Sequence, residues 1–370
     1  MNPVYRVISM TAAKTIYQHP SAWKVKDLEA HEHLCEALDK STLDALQQGL
    51  RAASESGVEL EDITSAEFPL DKIQENIQRW QDVIQEGRGL LILTGFPVDR
   101  FSKEECGAIF YGLGAYLGNA QSQSLMGDRL GHVINVGGKD TRERAYRNSA
   151  ELSLHTDASD IVGMMCLVQA KSGGISGYSS GPAVYNHLLD HHPELLDVLC
   201  EGFYYHLFGE QEPGEQPVTK QKIPVFSEAQ GYLSVSYLRS YIELAFDQLG
   251  LRKTDLEQRA LDTFDQIAHS PEYRFDYLMQ PGDIAFFNNY TVLHTRTEFF
   301  DHDEPEKKRH LLRLWLKAWQ PRPLDQNIST YRERKGIAKQ TGGSTYYTGE
   351  AEYNESPPPK FQNHNSPGQD

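Results

Sequence analysis

The sequence predicts an α+β protein with a mainly β core, a sandwich or jelly roll of short strands wrapped by helices. Three observations carry this expectation. The first 86 residues space apolar side chains at helical intervals, short apolar runs separated by Gly, Pro, Asn and Asp turns fill the chain from about Leu130 to Gln320, and helical patterns interrupt that stretch only at His187–Cys200 and Ser240–Ser270. Strands joined mostly by turns favour a sandwich or jelly roll over a doubly wound parallel sheet, which needs crossover helices. No repeat of regular period is present.

Taken in order, the helical leader (1–86) includes Ser41 to Leu46, with Ser41 or Thr42 as the expected N-cap, and Ile73 to Ile84. Gly87-Arg88-Gly89 ends it. Leu90 to Thr94 is an unbroken apolar run of buried-strand length, closed by the turn Gly95-Phe96-Pro97, and Ser102 to Leu117 reads as a helix capped by Ser102. The leader is expected to pack on the jelly-roll domain, which then spans 87–320 with a lid insertion at about 202–243. Residues 321–370 form a polar tail ending near Ser356-Pro357-Pro358-Pro359, whose last 20 or so residues bury too little to offset ordering entropy and are expected to be mobile.

Charge narrows the function classes. With 36 basic against 52 acidic residues the formal charge is −16, which opposes a broad nucleic-acid or anionic-membrane surface; anions must be met in a local pocket. Met1 to Met10 lacks the apolar stretch of a signal peptide, and nothing later approaches the roughly 20 apolar residues of a membrane span, so a soluble, cytoplasmic protein is expected. Cys35, Cys106, Cys166 and Cys200 are scattered without a C-x-x-C spacing and read as buried thiols.

Chemistry concentrates in two distant segments. In a strand, residues i and i+2 face one side, so in His155-Thr156-Asp157 the imidazole and the carboxylate point together while Thr156 points away. A third ligand follows the turn Pro281-Gly282-Asp283 and the run Ile284 to Asn289, where His294 lies just beyond. Two imidazoles and one carboxylate with open positions are the ligand face of non-haem Fe(II) oxygenases. A chain with 14 histidines can also present one H-x-D by chance. The run Arg309 to Leu316 weighs against chance: as a strand it puts Arg309 and Arg313 on one face, and two guanidiniums in an apolar strand are costly to bury unless each meets an anion. The planar fork of arginine suits carboxylates.

At this point the chain resembles the TauD/TfdA family of Fe(II)- and 2-oxoglutarate-dependent dioxygenases, nearest to its clavaminate-synthase-like branch. The likeness runs from about Gly87 to Gln320 through Gly89 to Pro97, Glu151 to Asp157, Lys171-Ser172-Gly173-Gly174, Pro281 to Ile284, His294-Thr295-Arg296 and Arg309 to Leu316. It implies a double-stranded β-helix, the cupin-like jelly roll, with iron held by His155, Asp157 and His294. It further implies that Arg309 and the hydroxyl of Ser176 hold the distal carboxylate of 2-oxoglutarate, and that Arg313 faces the anionic group of a small substrate. Dioxygen (O2) is the co-reactant, and succinate and carbon dioxide are the expected co-products. Ile175 stands where relatives often carry a polar residue, and Ser176 replaces a more usual Thr while keeping the hydroxyl. Retention of Asp157, which related iron halogenases lack, points to hydroxylation, desaturation or oxidative cyclisation, outcomes frequent in secondary metabolism.

Within the expected lid, Tyr237 and Arg239 are candidates for substrate contact, although aromatics spaced as in Phe203, Tyr204, Tyr205, Phe208 and Tyr241 also suit an ordinary core. His187, His191, His192 and His206 read as surface histidines. Two other functions fit parts of the pattern: a non-catalytic jelly-roll module binding a metal or small acid, and an iron oxygenase that uses no oxoacid.

Overall fold

A computed structural model of the chain describes residues 15–29, 34–125, 127–135, 149–211, 214–328 and 336–339. The helices are α1 (Val25–Glu29), α2 (Lys40–Ser56), α3 (Gln74–Gln85), α4 (Lys103–Leu117), α5 (Gly181–His191), α6 (Pro193–Glu201), α7 (Arg239–Leu249) and α8 (Asp255–His269). The strands are β1 (Cys35–Ala37), β2 (Leu90–Thr94), β3 (Gly118–Ala120), β4 (Leu130–Val133), β5 (Leu152–His155), β6 (Ile161–Val168), β7 (Ser172–Gly173), β8 (Ser176–Ser180), β9 (Phe226–Ala229), β10 (Tyr232–Val235), β11 (Arg274–Tyr277), β12 (Ile284–Asn288), β13 (Val292–Arg296), β14 (Phe299–Phe300) and β15 (His310–Ala318).

Two sheets form the double-stranded β-helix. The larger runs β1-β2-β12-β6-β15-β3, with β4 also paired to β15, and the smaller runs β11-β8-β13-β5. Alternation along each strand divides the apolar side chains among three cores. On β15, Leu312, Leu314 and Leu316 pack outward under α2, α3 and α4 with Phe68, Trp80 and Phe110, whereas Leu311 and Trp315 point between the sheets. On β13, Leu293 joins the outer core beneath α5, α6 and α8, whereas Val292 joins Tyr178 and Phe287 inside. Every strand that carries a candidate site residue is thus clamped by a helical layer behind it.

Local signals explain most boundaries. Ser102 caps α4 in a capping box with Glu105, as expected. The cap of α2 is instead Asp39, whose carboxylate accepts from the backbone N–H of Thr42 at 2.7 Å; Ser41 and Thr42 are already inside the helix. The leader is not purely helical, because β1 pairs in parallel with β2. Each expected helical stretch within the β region is split: Pro193 opens α6 directly after α5, and Gly250, in left-handed conformation, ends α7 before α8. Gly282 has φ +94°, and a Cβ there would meet the Phe96 carbonyl at 2.0 Å, so the turn that launches β12 requires glycine. Cys106 and Cys166 are buried, but Cys200 is half-buried and Cys35 exposed, since β1 lies at the sheet edge. The polar tail after residue 339 lies outside the described residues. Among those described, no helix is long and apolar enough to cross a membrane.

Candidate metal centre and cosubstrate chamber

β5 and β13 are antiparallel neighbours, and His155 stands directly opposite His294. Their rings lie 4.1 Å apart between centroids. Asp157, just past the end of β5, reaches toward both: its Oδ1 is 3.8 Å from His155 Nε2 and its Oδ2 is 3.6 Å from His294 Nε2. One ligand atom from each residue lies within 4.8 Å of the other two. These two separations are below the roughly 4.2 Å that two ligands of one ion at about 2.1 Å can span. The three side chains keep 10 to 15% of their surface exposed, enough for a ligand to reach them.

Protonation suits a cation. His155 Nδ1 lies 2.9 Å from the Ser153 carbonyl, which can only accept, so the proton is on Nδ1 and the Nε2 lone pair faces Asp157. Burial first, then the neighbouring His294, pushes the His155 pKa down to about 4, keeping the ring neutral at pH 7. Burial opposes ionisation of Asp157, but Arg313 and His294 outweigh it and hold the carboxyl well below the usual range. A neutral imidazole beside an ionised carboxylate is the state that binds a divalent metal, so the residues present fit iron(II).

Four residues outside the predicted site set shape this centre. Asn289, fully buried, brackets Asp157: its Oδ1 accepts from the Asp157 N–H at 2.9 Å and its Nδ2 donates to the carbonyls of Asp157 and Ser159. Trp315 Nε1 donates to Asp157 Oδ2 at 2.8 Å. Gln123 Oε1 accepts from Arg313 Nε at 2.6 Å while its Nε2 donates to the Arg313 carbonyl at 2.9 Å. Arg296, two residues past His294, is buried as well. The alternation 309, 311, 313, 315 would have placed Trp315 inward from sequence, and a polar Asn289 closing an apolar strand was a second available signal. Gln123 left none.

Arg313 lies on β15 and Arg309 immediately precedes that strand; both are buried. Arg309 is 2% exposed, its guanidinium stacks over Phe299 at 4.9 Å, and its Nε and Nη1 have no hydrogen-bond partner among the described residues. Burial lowers its pKa to about 10, which marks the charge as incompletely compensated. A carboxylate arriving there would satisfy it. Gly174 (φ +71°) turns beside it, and a Cβ at that position would stand 3.0 Å from Arg309 Nε. Ser176 on β8 is in register with Arg296 on β13, and its hydroxyl bonds with that of Tyr178. Arg313 stacks over Trp315 at 5.0 Å, with Nη1 3.8 Å from Asp157 Oδ2.

Tyr237 and Arg239 are placed differently from the expectation of substrate contact. Tyr237 is fully buried, its ring lies 4.2 Å from that of Phe264, and its hydroxyl donates to Asp265 at 2.7 Å. Arg239 is held by Glu243, Asp262 and Asp265. Both side chains therefore face α7 and α8 and away from the metal ligands. The backbone of Tyr237 still serves the site, exchanging hydrogen bonds with Thr156. Phe203, Tyr205 and Phe226 likewise belong to the outer core beneath α5 and α8, so much of the expected lid is packed structure. His206, expected at the surface, is buried with Nδ1 accepting from the Phe208 N–H.

Comparison with known proteins agrees with this geometry. The profile of the family described as "Taurine catabolism dioxygenase TauD, TfdA family" matches residues 54–315. FR-33289 synthase of Streptomyces rubellomurinus is 30% identical over 87% of this chain and 96% of its own length. The taurine hydroxylase-like protein SAT17 of Stachybotrys chartarum is 26% identical over 79% and 77%. Among solved structures, asparagine oxygenase with Fe(II), 3-hydroxyasparagine and succinate superposes with a TM-score of 0.61 at 17% identity, covering 77% of this chain and 93% of that one. The non-haem iron oxygenase OrfP with iron gives a TM-score of 0.59 at 14% identity, covering 82% and 99%. The chain belongs to the TauD/TfdA family. It is an iron(II)- and 2-oxoglutarate-dependent dioxygenase.

Proposed function

We propose that the enzyme couples decarboxylation of 2-oxoglutarate to oxidation of a C–H bond in a small anionic, amino-acid-like metabolite, with His155, Asp157 and His294 holding iron. The observation that supports this best is the presence together of a preformed two-His, one-Asp face and, just before β15, Arg309, a buried guanidinium whose Nε and Nη1 lack hydrogen-bond partners among the described residues. When bound, iron(II) with 2-oxoglutarate and dioxygen supplies the oxidising chemistry, releasing succinate and carbon dioxide. The protein's share is positioning. Arg309 and Ser176 orient the distal carboxylate of the oxoacid, Trp315 and Asn289 aim Asp157, and the apolar interior between the sheets excludes bulk water. Arg313, held by Gln123 beside Asp157, offers its charge to the anionic group of the substrate, which places that group next to the metal face.

The substrate class draws on the relatives: asparagine oxygenase and OrfP are described with hydroxylated amino acids bound, and one relative is an L-ornithine/L-arginine 3-hydroxylase. The name FR-33289 synthase favours a role in secondary metabolism. Incubation of iron(II)-loaded protein with 2-oxoglutarate, dioxygen and a panel of amino and organic acids tests the reading by mass spectrometry. One member should gain an oxygen atom or lose two hydrogens in step with succinate. Absence of succinate above an Asp157→Ala control for every member contradicts it.

A further inference from the structure

We propose that Arg296 is a second cationic arm at the cosubstrate end, so that the oxoacid is selected as a dicarboxylate by two guanidiniums acting against the opposing charge of Asp301. The inference rests on the assignment of Arg309 to the oxoacid made above. Arg296 follows His294 by two residues on β13 and so shares its inward face. It stands opposite Ser176 in the β13–β8 register, which brings it to the end of the chamber assigned to the distal carboxylate.

The guanidinium carbons of Arg296 and Arg309 lie 4.7 and 4.9 Å from the centroid of the same ring, Phe299. Arg296 is 5% exposed; one nitrogen, Nη2, donates to the Ala150 carbonyl, while Nε and Nη1 have no partner among the described residues. Asp301 uses Oδ1 to accept from the backbone N–H of Arg309 at 2.8 Å, and its Oδ2 is buried without a hydrogen-bond partner among the described residues. Among these described residues the charges are thus two positive and one negative. One further carboxylate brings the cluster to neutrality, which is the condition for burying it cheaply. The distal carboxylate of 2-oxoglutarate supplies that charge; pyruvate has no second carboxylate and cannot.

Calorimetric titration of manganese(II)-loaded protein with 2-oxoglutarate and with pyruvate reads binding apart from turnover. Arg296→Gln should weaken 2-oxoglutarate about tenfold, the loss of one charge-assisted hydrogen bond, with pyruvate unchanged, and Arg296→Lys should recover part of the loss. Asp301→Asn keeps an acceptor for the Arg309 N–H but removes the competing charge, so it should tighten 2-oxoglutarate. Unchanged affinity in folded Arg296→Gln overturns the proposal, as does equal weakening of both oxoacids, the sign of a purely structural role. Should Arg296→Gln fail to fold, the Asp301→Asn arm decides, and failure to tighten overturns the charge balance. Arg309→Gln separates the two levels: if it too leaves 2-oxoglutarate binding intact, the assignment of Arg309 falls, whereas an effect there with none at Arg296 removes this inference alone.

Discussion

The indole Nε1 of Trp315 donates to Oδ2 of Asp157 at 2.8 Å, so a buried aromatic on β15 aims the one carboxylate of the ligand set. The same oxygen lies 3.8 Å from Arg313 Nη1, and Arg313 stacks on the Trp315 ring. β15 therefore brings Arg313 and Trp315 together at the carboxylate of Asp157, with the buried Arg309 immediately before the strand.

Trp315→Phe keeps the ring but removes that donor. Outer partners of metal ligands are worth about 10- to 100-fold in affinity, and about tenfold weaker manganese(II) binding is expected by titration. Unchanged affinity would show that packing alone aims Asp157.

Asn289→Ala strips three hydrogen bonds from buried backbone around Asp157 and Ser159. At about 1–3 kcal/mol for each buried group left unsatisfied, the midpoint of denaturant unfolding should fall by an amount equivalent to about 3 kcal/mol or more. A loss below about 1 kcal/mol would mean water replaces the amide.

Gly174→Ala acts at φ +71° and sets a methyl 3.0 Å from Arg309 Nε. Backbone strain of about 1–3 kcal/mol is expected, together with a raised KM for 2-oxoglutarate and a kcat closer to that of the wild type. A shift in kcat alone would argue that Arg309 does not hold the cosubstrate.

Tyr237→Phe distinguishes a core role from a substrate role. Loss of the bond to Asp265 should lower stability by about 1–2 kcal/mol while leaving the substrate KM within about twofold, since the hydroxyl faces α8. An unchanged melting temperature with a raised KM would restore the sequence-based expectation.

What the sequence made legible was whatever depends on local periodicity. The proximity of His155 and Asp157, the burial of Arg309 and Arg313 and the Gly282 turn follow from short-range spacing and backbone sterics, although Asp157 lies just past β5 and Arg309 just before β15. The placement of Tyr237 and Arg239 has a tertiary cause that local spacing does not carry: Asp265 on α8 holds the Tyr237 hydroxyl, and Asp262 and Asp265 hold the Arg239 guanidinium. Gln123 was invisible for the same reason, since it meets Arg313 across 190 positions of sequence. Arg296 sat in a quoted motif, but its charge became conspicuous only once Phe299 was seen to carry a second guanidinium.

The most direct test of the central claim is release of carbon dioxide from C1-labelled 2-oxoglutarate by the purified protein, with iron(II) and dioxygen added or withheld. Release that requires both, and that is abolished in Asp157→Ala and strongly reduced in Arg309→Gln, is the predicted result. Release that persists in both variants, or none in the wild type with iron(II), dioxygen and the substrate panel present, would contradict it.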